Sequence, residues 1–573
     1  MPFNRINITS ESLKKIWKEI FPIISLFVIS LIILNNTILN PVKLPIDNYY
    51  HLSRIKNLTG SFYQALYPQN FLSLGQVGVA SNIFYPAFGM QLIINLIPHC
   101  LGIYWIYKIF IVFLCFSSSL VSYLVLRFKV QASKIVSIAL SLLWSFLVFP
   151  SSNIAEALAK VGIPLICYGL IRSQDKKSYK YVVAGLTISF MSHILTSVFL
   201  AGFVVVYYVI SYVLNKEKEE KFNLFRVGLY TLLTTASVTI PLVLTSLSNH
   251  IKSPTYSSWQ FQTWFDSIDG LFSDKSFLIF LIMILFFLTS MVLLKNVSLG
   301  QQISFILAIF GTGAIGWQRF LQHTPLSVIQ IPGRIFYYGM TVCFCFSIFL
   351  FATGKWSKNF EKILTMFVLL ILVIVASVDR SNSQPDVDYS GQYNVLSKQS
   401  VNQYYLAGHD GYGLDKTGAF NQETMSSQYM WQLMNYADYA PKEAFVNKNI
   451  GFLRQDSGTK SVAEHKLMSQ NGKTIDTKNY KTASNSITFQ PVESVEKGKI
   501  KLPVFYYKNF LNEVLINGKK QKFTNDNGLI TVNSENGLRK NDVVQIKQFI
   551  PMWEIIALSI SVISIIWIFV FKK

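Results

Sequence analysis

Long uninterrupted apolar runs recur along most of the chain, and each is near the length that an α-helix needs to cross a bilayer's hydrocarbon core. They read as Glu19 to Leu39, Ile103 to Arg127, Lys134 to Pro150, Ala159 to Arg172, Ser178 to Ser192, Ile194 to Leu214, Leu224 to Leu247 and Ser276 to Lys295. Gln301 to Trp317, Pro332 to Thr353, Lys362 to Val378 and Met552 to Lys572 follow. That makes about twelve crossings, several of the central ones short for a straight passage. With 51% hydrophobic and only 14% charged residues, a chain of 573 residues is too apolar for a soluble protein.

Charge supplies the orientation. Arg5, Lys14, Lys15 and Lys18 precede the first run, which reads as entering from the inside. That run is too long for a cleaved signal peptide and lacks a small-residue cleavage site before Pro41-Val42-Lys43, so it reads as a retained span. Alternation then puts Arg127/Lys129/Lys134, Arg172/Lys176/Lys177/Lys180, Lys216/Lys218/Lys221/Arg226, Lys295, Lys355/Lys358/Lys362 and Lys572/Lys573 on the cytoplasmic side. Positive charge in short inner loops explains the net charge of +21 and removes the case for nucleic acid as a partner. Both termini are expected inside.

The same alternation places Asn40 to Gly102, Ser248 to Lys275 with Gln318 to Ile331, and Asp379 to Pro551 outside. The expected fold is therefore an α-helical polytopic membrane protein. A transmembrane domain spans 1–378, its first outer loop is 40–102, an extracytoplasmic domain covers 379–550 and is β-rich from about 485, and a final helix occupies 551–573. Ile83 to Ile97 is shorter than a crossing and fits a helix at the interface or packed on the bundle. Short strands are expected at Ile487 to Phe489, Lys499 to Tyr507, Glu513 to Ile516, Lys519 to Phe523, Leu529 to Val532 and Asp542 to Ile546, with Asn517-Gly518 as a type I′ hairpin turn. The five cysteines lie in or beside apolar segments, which implies neither a disulfide framework nor a cysteine metal site.

Candidate chemistry clusters in the outer regions. Asp47, His51 and Arg54 follow one another at spacings of four and three, and share a face if Asn48 to Leu66 is helical. One element could then carry a base and a phosphate-binding cation; Asp47 as a helix cap with Arg54 as an interfacial anchor is the equal alternative. Arg54, Arg319 and Arg334 lie on the outer side, where the inside-positive rule gives no reason for arginine. Arg334 opens a span just after Pro332-Gly333, at a depth where charge costs up to about 2.5–3.5 kcal/mol at the membrane centre, so a carrier phosphate or snorkelling must compensate it.

His193, between Ser192 and Thr196, suits either a satisfied structural role or a polar cavity; His323 reads as an exposed loop histidine. Glu156 and Lys160 read as an ordinary ion pair one helical turn apart. Asp386-Val387-Asp388 mimics the acidic pair of nucleotide-sugar transferases but reads as solvated linker. Tyr404, Tyr405, Tyr412 and Trp431 suit core packing or stacking on sugars. The sequence carries no metal-ligand spacing in the outer regions, no Walker A loop and no Rossmann fingerprint.

Asp47 through Tyr49-Tyr50-His51-Leu52-Ser53-Arg54, Tyr67-Pro68, Gly75, Gly78 and Phe84-Tyr85-Pro86 together resemble the first outer loop of the bacterial YfhO-like family of GT-C membrane glycosyltransferases. Ser192-His193-Ile194-Leu195-Thr196, Ile329 to Arg334, and a late strand domain before a last span resemble that family's layout in order, with Gly333 where an aromatic is more familiar. The resemblance implies transfer of a sugar from a polyprenyl-phosphate donor to a cell-envelope glycopolymer or glycolipid, such as teichoic acid, on the outer membrane face. It makes Asp47 the base and His51, Arg54, Tyr85, His193, Arg319 and Arg334 the substrate-binding set. No cofactor is certain; a divalent ion at Asp47 stays open, since some relatives use one. A single acid with no carboxylate partner favours inversion.

Two rival classes share the span pattern: a transporter or flippase of lipid-linked sugars, and a non-catalytic envelope-assembly protein. A transporter would be favoured by inverted repeats with matched broken spans, and the sequence shows none.

Overall fold

The computed structural model describes residues 10–34, 51, 54–55, 58, 78–148, 154–215, 218–252, 285, 288, 298–311, 333–354, 357–381, 438–447, 456–483 and 485–571. Asp47, Arg319, His323, Asp386 to Asp388, Tyr404, Tyr405, Tyr412, Trp431 and most of Ser276 to Lys295 lie outside the described residues.

Among the described residues the apolar runs form helices, most with ends within a few residues of the sequence expectation, though the first begins at Ser10 rather than Glu19 and two helices cover Ala159 to Arg172. The helices are α1 (Ser10–Ile33), α2 (Phe88–Ile94), α3 (Gly102–Phe128), α4 (Lys134–Val148), α5 (Ile154–Lys160), α6 (Ile163–Ile171) and α7 (Tyr179–Phe190). Then come α8 (Ile194–Asn215), α9 (Lys218–Thr234), α10 (Ala236–Ser248), α11 (Leu299–Gly311), α12 (Gly333–Thr353), α13 (Lys358–Ser381) and α14 (Met552–Ile566). Among the described residues, five helical stretches are long and apolar enough to cross a membrane, or six if one bent pair counts as a single span. The stretch Ile154–Ile171 is one of the five and contains both α5 and α6.

The bent pair corrects the sequence reading of Leu224 to Leu247 as one straight span, because α9 and α10 meet at 77°. The Thr234 and Thr235 hydroxyls bond back to the carbonyls of Tyr230 (2.8 Å) and Thr231 (2.7 Å) beside the bend. Pro241 adds a missing amide donor inside α10. Back-bonding hydroxyls and proline are both recognised causes of helix bending.

Close helix packing rests on small residues, as expected where lipid removes the hydrophobic drive between helices. Gly162 lies against Gly185 so tightly that a Cβ on either would overlap the other's carbonyl, and the Ser189 hydroxyl donates to the Ala159 carbonyl at 2.7 Å beside them. Gly339 likewise lets α12 approach Ser304 and Ala308 of α11. α2 buries Met90, Gln91, Ile93 and Ile94 and packs on α3 and α5, so the Ile83 to Ile97 segment joins the bundle.

The C-terminal β region consists of two five-stranded antiparallel sheets. Its strands are β1 (Leu467–Met468), β2 (Thr474–Ile475), β3 (Thr477–Ala483), β4 (Ser486–Pro491), β5 (Gly498–Phe505), β6 (Leu511–Ile516), β7 (Lys519–Gln521), β8 (Phe523–Asp526), β9 (Leu529–Ser534) and β10 (Val544–Phe549). The sheet orders are β2-β1-β5-β9-β8 and β3-β4-β10-β6-β7. Alternate residues from both, including Ile487, Phe489, Ile500, Val514, Val532 and Ile546, form one buried core. Strand structure thus begins ahead of 485, and the single strand expected over Lys519 to Phe523 divides into β7 in one sheet and β8 in the other.

Asn517 and Gly518 take φ of 50° and 77°, the left-handed pair that a type I′ turn requires, and Ile516 pairs with Lys519 across it. Gly518→Ala is expected to cost about 1–2 kcal/mol, read as a roughly 5- to 30-fold loss of amide-exchange protection in β6 and β7.

The β region is tied to the helices at several points. Ile251 bridges Pro441 beyond α10. Asn509 accepts from Asn249 at 2.8 Å and donates to Thr245 at 2.9 Å. Val79, Ala80 and Ile83 share a buried cluster with Ala444, Phe505 and Tyr507. In α14, the Ser561 hydroxyl accepts from the Ser237 amide at 2.8 Å.

Candidate functional site

His51, Arg54, Ile55 and Leu58 are helical and buried. Ile55 and Leu58 enter the same core as α2 and α3, which carries His51 and Arg54 inward with them. The Arg54 Nη1 donates to His51 Nδ1 at 3.0 Å. Arginine has no acceptor, so a neutral His51 carries its proton on Nε2. Nη2 of Arg54 donates to the Tyr85 carbonyl, and the guanidinium lies 5.7 Å from the Tyr85 ring centre. This joins the two ends of the loop that the sequence singled out.

Tyr85 is the hub. Its ring lies 5.5 Å from His51, 5.5 Å from His193 and 5.7 Å from Tyr439. Tyr439 stacks on Phe84 at 4.2 Å, and its carbonyl accepts from the Tyr507 hydroxyl at 2.8 Å. The Tyr507 oxygen in turn accepts from the Ala80 amide at 3.1 Å, so the β region latches the loop segment that carries Tyr85.

His193 lies at the corner between α7 and α8, and Gly89 donates its amide to the Met191 carbonyl beside it. Nδ1 of His193 is 2.8 Å from Thr196 Oγ1. The Thr196 hydroxyl donates to Tyr338 Oη at 3.1 Å, and Tyr338 donates to Glu156 Oε1 at 2.7 Å. Glu156 pairs with Lys160 at 4.0 Å, and the Lys160 ammonium lies 4.0 Å from the Tyr337 ring centre. Arg334, in the first turn of α12, is close enough to act electrostatically on His193.

Of the residues that the sequence singled out, His51, Arg54, Tyr85, His193 and Arg334 gather in one neighbourhood, while Asp47 and Arg319 lie outside the described residues. Sequence reasoning passed over Tyr338 and took Glu156 with Lys160 as an ordinary pair. They are a pair, but one buried with Lys160 only 1% exposed. Apolar neighbours on both sides, from Ile154 to Val161, were the available signal, since ionisable residues in such surroundings need a specific reason.

Burial pushes both imidazoles toward neutrality. His51 is held well below the ordinary histidine value, first by burial and then by Arg54 and His193. His193 is pushed down to about 4 by burial, with Glu156 opposing the shift and Arg334, Lys160 and Arg54 adding to it. The site therefore offers neutral imidazoles beside Arg54 and Arg334, whose guanidinium groups suit charge-assisted bonds to phosphate. Among the described residues, no three His, Cys, Asp or Glu side chains gather as metal ligands.

A small apolar cleft of about 40 Å³ opens beside this cluster. Pro86 of the loop, Phe88 at the start of α2, Met191, and Leu558, Val562 and Ile565 of α14 line it. Compared with known protein families and with curated proteins, the chain matches none.

Proposed function

We propose that this chain is a GT-C type glycosyltransferase, with about twelve crossings, cytoplasmic termini and its β region outside. It transfers one sugar from a polyprenyl-phosphate donor to a cell-envelope glycopolymer or glycolipid. The observation that carries the reading is the meeting of His51, Arg54 and Tyr85 with His193 and Arg334 at one buried site. Arg54 and Arg334 hold the donor phosphate, and the cleft along α14 receives the first isoprene units of the carrier. The resemblance gives the proton-acceptor role to Asp47, four residues ahead of His51.

The test is sugar transfer by purified protein in bilayers, with a panel of polyprenyl-phosphate sugars and envelope acceptors. Transfer by the wild type is expected, with Arg54→Gln reducing it by about 10²-fold or more through loss of charge stabilisation at the departing phosphate. Lipid flipping without transfer across the panel would reject the enzyme reading in favour of a flippase.

A further inference from the structure

We propose that His193 takes the proton from the acceptor hydroxyl, and that Glu156 holds it ready for this through Tyr338 and Thr196. The inference rests on the transfer reading above and moves the proton-acceptor role from Asp47 to a residue of the described site.

The order of hydrogens along the chain carries it. The carboxylate of Glu156 has no proton to give, so the 2.7 Å bond uses the Tyr338 hydrogen. The Tyr338 oxygen can then only accept across its 3.1 Å contact with Thr196, which uses the Thr196 hydrogen. The Thr196 oxygen is left as an acceptor, and the group 2.8 Å away is His193 Nδ1. A head-to-tail chain therefore requires the proton on Nδ1 and leaves the lone pair on Nε2. The opposite tautomer leaves the Thr196 and Tyr338 oxygens facing each other without a hydrogen. One contact competes: the Thr196 amide donates to Nδ1 at 3.3 Å, as far past the ordinary N–H range of about 2.7–3.2 Å as the 3.1 Å Thr196–Tyr338 contact is past the O–H range of about 2.5–3.0 Å, and the measured tautomer decides between them.

Nε2 makes no hydrogen bond among the described residues, and the His193 ring packs against Tyr85 of the loop. The charged and titratable groups acting on it are Glu156 and Lys160 from α5, Tyr338 and Arg334 from α12, and His51, Arg54 and Tyr85 from the loop. Their balance with burial keeps the imidazole neutral at physiological pH, so the lone pair is present when substrate arrives.

The step balances. The acceptor O–H proton moves to Nε2 as the acceptor oxygen bonds the anomeric carbon. The bond from that carbon to the phosphate oxygen breaks with its electron pair staying on phosphate. The imidazolium then returns its proton to the departing phosphomonoester, whose second ionisation lies near pH 6. In this scheme His193 is the catalytic residue, and Thr196, Tyr338 and Glu156 are positioning residues.

Solid-state ¹⁵N NMR of histidine-labelled protein in bilayers reads the tautomer directly, with the His193 signals assigned by their loss in His193→Gln. The wild type should show Nδ1–H. Tyr338→Phe frees the Thr196 hydroxyl to donate to Nδ1, which should move the proton to Nε2. Transfer by Tyr338→Phe should fall at unchanged donor KM, transfer by His193→Gln should fall by about 10²–10⁴-fold, and Thr196→Ser should retain the wild-type tautomer and rate. An Nε2–H wild type, or an unmoved tautomer in Tyr338→Phe, would overturn the relay whatever the transfer assay shows. Loss of transfer in Asp47→Asn with full transfer in His193→Gln would return the base to Asp47 and leave the transfer reading standing.

Discussion

Glu156→Gln is expected to destabilise the folded chain by about 3–5 kcal/mol, because it removes the carboxylate beside a buried ammonium. Lys160 is 1% exposed, so water has little access to its ammonium, which also lies 4.0 Å from the Tyr337 ring centre and 5.7 Å from that of Tyr338. The same substitution weakens the bond that orders the Tyr338 hydroxyl. Thermal unfolding in detergent reads the loss. The double variant Glu156→Gln with Lys160→Met should recover most of it, since removing the buried ammonium removes the uncompensated charge. If the single variant melts with the wild type, Glu156 is not what compensates the Lys160 ammonium.

Tyr507→Phe should loosen the site without unfolding the sandwich. The hydroxyl satisfies two backbone groups, the Ala80 amide and the Tyr439 carbonyl, and the Tyr507 side chain is fully buried. Losing it leaves both groups without that partner, at about 1–3 kcal/mol each. Because Tyr439 stacks on Phe84 and meets Tyr85, the effect reaches the aromatic hub. Hydrogen exchange should rise in residues 79–84 and 439–445 while β4 and β10 keep their protection. Equal loss of protection throughout the sandwich would mean that Tyr507 supports the core instead.

How much of this was legible in the sequence follows from the kind of force involved. Apolar length alone located α3, α8 and α12 to within a few residues, since burying an apolar helix is a local decision. Asn517-Gly518 marked its turn because few residues accept left-handed backbone. β3 was missed because its residues, Thr477 to Ala483, are polar and interrupted by a register shift between Lys478 and Lys481. The α9–α10 bend was missed because apolar composition runs through it unbroken, and hydroxyl back-bonding leaves hydropathy almost unchanged.

The site was half legible for the same reason. His51, Arg54, Tyr85, His193 and Arg334 stood out as polar residues at helix ends or in loops. Glu156 was discounted because the i to i+4 spacing to Lys160 describes a surface pair as well as it describes a buried one. Its partner Tyr338 lies 182 positions away, a link that no local pattern reports.

The Tyr507 latch closes across 427 positions of sequence. During synthesis the ribosome releases the helices and the loop of Tyr85 long before it makes the strand region that fastens them. Arg54, His51 and their neighbours must therefore wait, incompletely enclosed, through most of translation. The helical part of the site is thus made before its fastening, and chain shortening from the C-terminal side should yield protein in which the loop of Tyr85 is never latched.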